Sequence, residues 1–174
     1  MNSLLVLIGG PTCSGKTSIA HAVCSALPAG SCTAVGLDSY YRDLSHLPIA
    51  ERAAMNFDHP DAFDWPLLIA DVSRLFAGES VNAPVYDFAT HARTGSAITL
   101  AAAEILIVEG ILALYDEELC SMARLRVFLD ASHAICLERR IDRDIAERGR
   151  TEASVRKQFD ASVLPMACQY LNPT

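Results

Sequence analysis

At 174 residues the chain has the length of one domain, enough to bury about 70% of its unfolded surface without disulfide or metal staples. A formal charge of −7 at pH 7 excludes the basic footprint of a DNA- or RNA-binding protein and favours a small anionic ligand held by local cations. Glu104 and Glu109 interrupt the most apolar stretch, residues 98–115, before it reaches the length that spans a membrane. Only Met1, Asn2 and Ser3 precede the first apolar run, so no secretory leader is expected. Cys13, Cys24, Cys32, Cys120, Cys136 and Cys168 lack CxxC spacing and read as reduced thiols of a cytoplasmic protein.

Residues 4–9 are apolar on both faces and predict a buried parallel strand. Gly10-Pro11-Thr12-Cys13-Ser14-Gly15-Lys16-Thr17 follows at once and fits the GxxxxGK[ST] loop that wraps nucleotide phosphates. Such a loop works because its backbone N–H groups converge on phosphate oxygens and the helix behind it brings its positive end to the same point. Lys16 is then expected on the β/γ-phosphates and the Thr17 hydroxyl on Mg²⁺. A chance Gly-Lys-Thr turn is the rival reading, weakened by the strand before it and the helical pattern after it. Cys13 lies inside the loop, where a bulky thiol adduct would obstruct the phosphates.

A helix is predicted over residues 16–27, ended by Pro28 and Gly30. A second apolar strand over 33–37 delivers Asp38 at its C-terminal end, where open α/β sheets bind ligands. Asp38 there can accept a proton from an attacking hydroxyl, hold Mg²⁺ through water, or merely cap the following turn, and position alone leaves these readings open. Asp64 is a good N-cap for a helix with Leu68, Val72, Leu75 and Phe76 on its core face. Residues 84–100 predict a β-hairpin turning at Thr94-Gly95-Ser96.

Strands over 105–108 and 125–129 carry Glu109 and Asp130 at their ends; Glu109 occupies the place of the acid that orients magnesium waters in P-loop enzymes. Ala134, Leu137, Ile141 and Ile145 then mark an apolar helix stripe, with Arg139, Arg140 and Arg143 off it. Arg140 and Asp144 fit a solvated i,i+4 pair. Arg148-Gly149-Arg150 lies beyond the stripe and reads as a lid, where an arginine on the transferring phosphoryl group is worth about 10³–10⁵ in rate. The last predicted helix starts near Thr151, shows Val155, Phe159, Val163 and Met166 on one face, and bends at Pro165.

Asn56-Phe57-Asp58-His59-Pro60-Asp61-Ala62-Phe63-Asp64-Trp65 and Pro84-Val85-Tyr86-Asp87-Phe88-Ala89-Thr90-His91 set aromatics beside carboxylates and a histidine. Singly these residues read as packing or turn formers; together they suit a planar, hydroxylated ligand. With the phosphate loop, Asp38-Ser39-Tyr40-Tyr41, Arg93, Val108-Glu109-Gly110-Ile111-Leu112 and Arg143-Asp144-Ile145 through Arg150, the chain resembles the uridine kinase (uridine–cytidine kinase) family from the loop to its last residues. The segment from Asn56 to Asp64 is the specific part, since it is not generic to P-loop proteins.

The resemblance implies one α/β nucleoside kinase domain over residues 1–174: a P-loop kinase three-layer sandwich with a parallel sheet, a β-hairpin insert at about 84–100 over the acceptor, and an arginine lid at about 139–150. The implied reaction is transfer of the ATP γ-phosphate to the 5′-hydroxyl of uridine or cytidine, with ATP and Mg²⁺ required. Asp38 becomes the base, with Tyr41 beside it. Asp58 and Arg140 hold the ribose hydroxyls, Phe57 and Phe88 pack on the pyrimidine, and Tyr86 and His91 read its edge. Arg150 and Gln158 complete the nucleoside side, Arg143 and Arg148 stabilise the moving phosphoryl group, and Lys16, Thr17 and Glu109 organise phosphates and Mg²⁺, with Asp38 a further metal partner. A homo-oligomer is implied, and neither nucleic acid nor membrane is an expected partner. Four strands are expected, because the chain ends at Asn172-Pro173-Thr174 where the family continues into a fifth. Rival readings are a related kinase with another acceptor, such as a phosphoribulose precursor, pantothenate or nicotinamide riboside, and a nucleotide-binding regulator without turnover.

Overall fold

The computed structural model describes residues 3–171; Met1, Asn2 and Asn172 to Thr174, on which the expectations about a leader and a fifth strand fall, lie outside them. Strand β1 (Leu4–Gly9) leads into helix α1 (Lys16–Ala26), and β2 (Cys32–Gly36) runs into a 3₁₀ turn, Leu37–Tyr40, that carries Asp38. The short α2 (Ile49–Ala53) precedes α3 (Trp65–Phe76), and β3 (Val81–Asp87) and β4 (Ala92–Leu100) form an antiparallel pair. Then come β5 (Ile105–Glu109), α4 (Glu117–Met122), β6 (Leu125–Phe128) and α5 (His133–Arg148). Helix α6 (Glu152–Gln158), a π-helical turn (Phe159–Val163) and α7 (Leu164–Tyr170) follow.

Four parallel strands pair in the order β2-β5-β1-β6. The register sets Ile8 against Glu109 and Gly36 against Glu109, so the phosphate loop, Asp38 and Glu109 all leave the same edge of the sheet. Side chains alternate across the strands. Leu5, Leu7, Leu106 and Val108 are buried in one cluster with Leu68, Val72 and Leu75 of α3 and Leu119 of α4. Val6, Ile8 and Ile107 lie in the opposite one with Ala20 of α1. Each fully buried leucine contributes about 1.5–3 kcal/mol of transfer free energy, so this two-sided core is what holds the loop ends rigid. Asp64 caps α3 as expected, its Oδ1 accepting from the Leu67 N–H at 3.3 Å.

Four expectations are corrected. The hairpin begins at Val81 and turns at residues 88–91, where Asp87 accepts from the Ala89 N–H and the Thr90 hydroxyl. Thr94-Gly95-Ser96 instead forms a bulge within β4: Pro84 pairs with Ala97 but Tyr86 with Arg93. Gly95 takes φ 77° there, and Pro84, without an N–H, cannot continue the ladder. On α5 the buried face is Cys136, Arg140, Ile141 and Asp144, while Ala134 and Ile145 are exposed, because the helix packs around an internal ion pair.

The last helix does not simply bend at Pro165; a π turn precedes it. Proline lacks an N–H and its ring crowds the carbonyl of residue i−4, so a wider turn relieves both problems. Finally, Cys24 and Cys32 form a disulfide, against the expectation of reduced thiols. The end of α1 and the start of β2 lie side by side, with Cα atoms 5.1 Å apart, within the span a disulfide needs.

Candidate active site

The phosphate loop is shaped by backbone freedom that its residues either have or are forced into. Gly10 sits at φ 140°, and a Cβ there would collide with the Leu129 carbonyl oxygen; Gly15, the N-cap of α1, sits at φ 103°. No side chain caps α1, so the N–H groups of its first turn remain available to an anion. Cys13 adopts the left-handed conformation at φ 56° and is half-buried at the loop's rim. Lys16 is buried and donates from Nζ to the Pro11 carbonyl at 2.8 Å. Burial pushes its ammonium below the ordinary lysine value, and the charges of Asp38 and Glu109 oppose that shift.

Thr17 donates from Oγ1 to Glu109 Oε1 at 2.9 Å. Burial pushes the Glu109 carboxyl above its usual range, and the nearby charge of Asp38 adds to the effect. A half-buried carboxylate with a hydroxyl already on it offers the oxygen donors that suit a hard divalent cation, which completes its shell with water and phosphate oxygens. A cavity of about 580 Å³ opens over the loop, bounded by Lys16, Thr17, Asp38, Glu109, Arg139 and Arg143. The expected phosphate and metal residues are therefore brought together.

A second cavity of about 320 Å³ adjoins it, and the two share Thr12, Asp38, Ile111 and Arg143. Tyr41, Phe57 and Asp58 line it from the loops after β2 and before α3, and Tyr86, Phe88 and His91 line it from the hairpin. Arg140, Arg148, Arg150 and Gln158 close it from α5, α6 and the turn between them. The Tyr41 ring stacks on Phe63 at 4.5 Å and meets the edge of Phe57 at 5.3 Å, while Phe57 and His91 stack at 5.1 Å. The Tyr86 hydroxyl is buried without a hydrogen-bond partner among the described residues, an orphan of the kind that a ligand satisfies. Burial and the charges of Arg150 and Arg148 hold His91 below the usual histidine value, so its ring is neutral at pH 7 and can donate or accept at a ligand's edge.

Arg140 and Asp144 are buried, not solvated as their spacing alone implies. Arg140 donates from Nη1 to Thr12 Oγ1 at 2.9 Å and from Nη2 to Gln158 Oε1 at 3.2 Å. Gln158 Oε1 also accepts from Arg150. Arg148 lies over the Phe88 ring, 4.3 Å from its centroid, and so ties α5 to the hairpin tip. The turn between α5 and α6 is compact: Gly149 ends α5 in the left-handed conformation and Thr151 caps α6 two residues later.

Two residues with no assigned role prove to organise the site. Arg93 donates from Nε to the Tyr41 carbonyl at 3.0 Å and pairs through Nη2 with Asp64 at 3.1 Å, locking the hairpin to the segment after β2 and to the cap of α3. Asp144 lies at the centre of the arginines. Its signal in the sequence was its spacing from Arg140 and Arg148, which reads equally well as a surface pair.

Asp58 provides a pH test. Its side chain is buried, and burial lifts its carboxyl above the usual range although Arg140 opposes this. A carboxyl raised on folding binds protons more tightly in the folded state, so stability falls as pH rises from the ordinary carboxylate pKa, about 4, through the raised value. Asp58→Asn removes that cost. Its melting temperature is expected to exceed the wild type's at pH 7, with the difference vanishing as pH falls below about 4. Melting curves across pH check this, and a variant less stable than wild type at pH 7 contradicts it.

A family model described as the phosphoribulokinase / uridine kinase family matches residues 5–174. A uridine kinase of Chloroflexus aggregans is 41% identical over 173 residues, covering 99% of this chain and 83% of that protein. A uridine kinase of Lactococcus lactis subsp. cremoris is 41% identical over 172 residues, covering 99% of this chain and 84% of that one. Among solved structures, a candidate fructose transport system kinase from Silicibacter sp. TM1040 superposes with a TM-score of 0.81 at 20% identity, covering 99% of this chain and 88% of that one. At that identity the likeness speaks for the fold alone.

Proposed function

The chain belongs to the phosphoribulokinase/uridine kinase family, and from that premise we propose that it transfers the ATP γ-phosphate to the 5′-hydroxyl of uridine or cytidine, giving the monophosphate. The observation that carries the reading is the meeting of a phosphate-loop cavity and an aromatic-walled cavity at Asp38 and Arg143. A donor phosphate and an acceptor alcohol held in such adjoining cavities have their reacting atoms presented to each other, which is most of what phosphoryl transfer requires.

In this reading Lys16 and the N–H groups of residues 10–17 hold the ATP phosphates. Asp38 takes the proton of the 5′-hydroxyl as it attacks, while Arg143 and Arg148 meet the negative charge spreading over the transferred oxygens. Asp58 and Arg140 hold the ribose hydroxyls, Phe57 and Phe88 pack on the pyrimidine, and Tyr86 and His91 bond its polar edge. Tyr41, Arg150 and Gln158 complete the wall. Thr17, Glu109 and Asp38 are the residues that would hold Mg²⁺. When bound, the ion neutralises phosphate charge.

The same reading carries over a single kinase domain with a hairpin over the acceptor and an arginine lid, a homo-oligomeric state, and a place in pyrimidine salvage in the cytoplasm. Among the described residues no helix is long and apolar enough to cross a membrane. The test is ATP consumption against a panel of alcohols. Turnover with uridine and cytidine is expected. Turnover confined to ribulose 5-phosphate, pantothenate or nicotinamide riboside overturns the acceptor, and nucleotide binding without turnover on any of them overturns the enzyme.

A further inference from the structure

Four guanidinium groups line the acceptor cavity, from Arg140, Arg143, Arg148 and Arg150, and all four converge on one carboxylate that the cavity never touches. Asp144 is fully buried. Its Oδ1 accepts from Arg143 Nε at 2.9 Å and Nη2 at 2.8 Å and lies 3.6 Å from Arg148 Nη1. Its Oδ2 lies 3.4 Å from Arg150 Nη1 and 3.6 Å from Arg140 Nε. Its backbone carbonyl accepts the Gly149 and Arg150 N–H groups that end α5.

The geometry points to Asp144 as the positioning residue of the arginine set, a buried counter-ion paired with all four guanidiniums that aims them at the two substrates. The proposal rests on the phosphoryl-transfer reading above. Four cations crowded around a cavity repel one another, and long side chains relieve the repulsion by swinging into solvent. One carboxylate shared among four holds them in place while leaving most of their positive charge unspent. A separate carboxylate for each arginine would quench the field that the transferred phosphoryl group needs. Arg140 Nε has no hydrogen-bond partner among the described residues, so that arginine is held by charge at Nε and by Thr12 and Gln158 at its tips. Since Arg143 faces both cavities, while Arg140, Arg148 and Arg150 face the acceptor's, Asp144 sets one against the other. Among the described residues no hydrogen bond or ion pair joins Asp144 to Lys16 or to the loop backbone; its links to the donor side run through Arg143, which faces that cavity, and through Arg140, which holds the Thr12 hydroxyl.

The test compares wild type with Asp144→Asn and Asp144→Glu, using the acceptor that the wild-type protein phosphorylates. Asp144→Asn is expected to lose at least about 100-fold in kcat while binding a non-hydrolysable ATP analogue within about threefold of wild type, because Lys16 and the loop N–H groups that hold the phosphates are not paired with Asp144. Asp144→Glu keeps the charge and is expected to recover about tenfold of that loss. If the Asn variant fails to fold, Asp144→Glu decides alone: about tenfold lower kcat at unchanged analogue affinity supports the role, and wild-type kcat overturns it.

Near-wild-type kcat in a folded Asn variant also overturns it, as does a loss of analogue binding that parallels the loss of kcat. A readout independent of turnover is the set of arginine Nε–Hε NMR resonances. A slowly exchanging Arg143 signal in wild type that is lost in the Asn variant supports the proposal, and one that is unchanged overturns it. Absence of wild-type turnover on uridine and cytidine would indict the acceptor assignment, while those resonances would still decide the role of Asp144.

Discussion

Replacing Asp38 by Asn is expected to slow phosphoryl transfer by about 10²–10⁴ while leaving nucleoside binding largely intact, the range a positioned general base contributes. Asp38 sits in the 3₁₀ turn after β2 and, among the described residues, is the carboxylate that lines both cavities. Its negative charge is felt around it, lifting the carboxyl of Glu109 and the phenol of Tyr41 beyond what burial does. Asparagine keeps the size and the hydrogen-bonding oxygen but cannot take the proton. Single-turnover rates with uridine and ATP, beside uridine affinity by calorimetry, separate the two effects. A rate within threefold of wild type would remove Asp38 from the base role.

Arg143→Gln is expected to cost at least about 10³ in kcat, the lower end of what an arginine contributes at a transferring phosphoryl group. Arg143 lines both cavities, and its fork is held through Nε and Nη2 on one oxygen of Asp144. Its position is therefore set before substrates arrive, and no reorganisation is needed as charge develops. Glutamine retains polarity but removes the cation, so the loss belongs in kcat more than in KM. A variant whose KM for uridine rises while kcat holds would make Arg143 a binding residue, contrary to the proposed role.

Local chemistry wrote much of the site into the chain in a readable form. A phosphate loop needs glycines, a lysine and a hydroxyl at set intervals, and Gly10 to Thr17 supply them next to an apolar strand. Asp38 and Glu109 follow strands of the same parallel sheet, and parallel strands deliver their ends to one edge. The hairpin is legible from its composition, but the position of its turn is not. Thr94-Gly95-Ser96 has the residues of a turn, and a β-bulge uses the same left-handed freedom at Gly95.

The arginine helix was harder to read for a different reason. Spacing tells which side chains share a helix face, and only packing tells whether that face meets water or protein. Arg140 and Asp144 look the same in sequence whether solvated or buried.

The main strands and helices, the parallel sheet and the residue pattern of a phosphate loop are legible in the chain alone, because these depend on neighbouring residues and on backbone conformations that few residues adopt. Packing alone sets the two cavities against each other at Asp38 and Arg143, lets Arg93 lock the hairpin to Tyr41 and Asp64, and buries Asp144 among four arginines. The first two relations join residues far apart in the chain; the third is local in sequence, and there burial in low-polarity surroundings is what turns a common pair of charges into a positioning device.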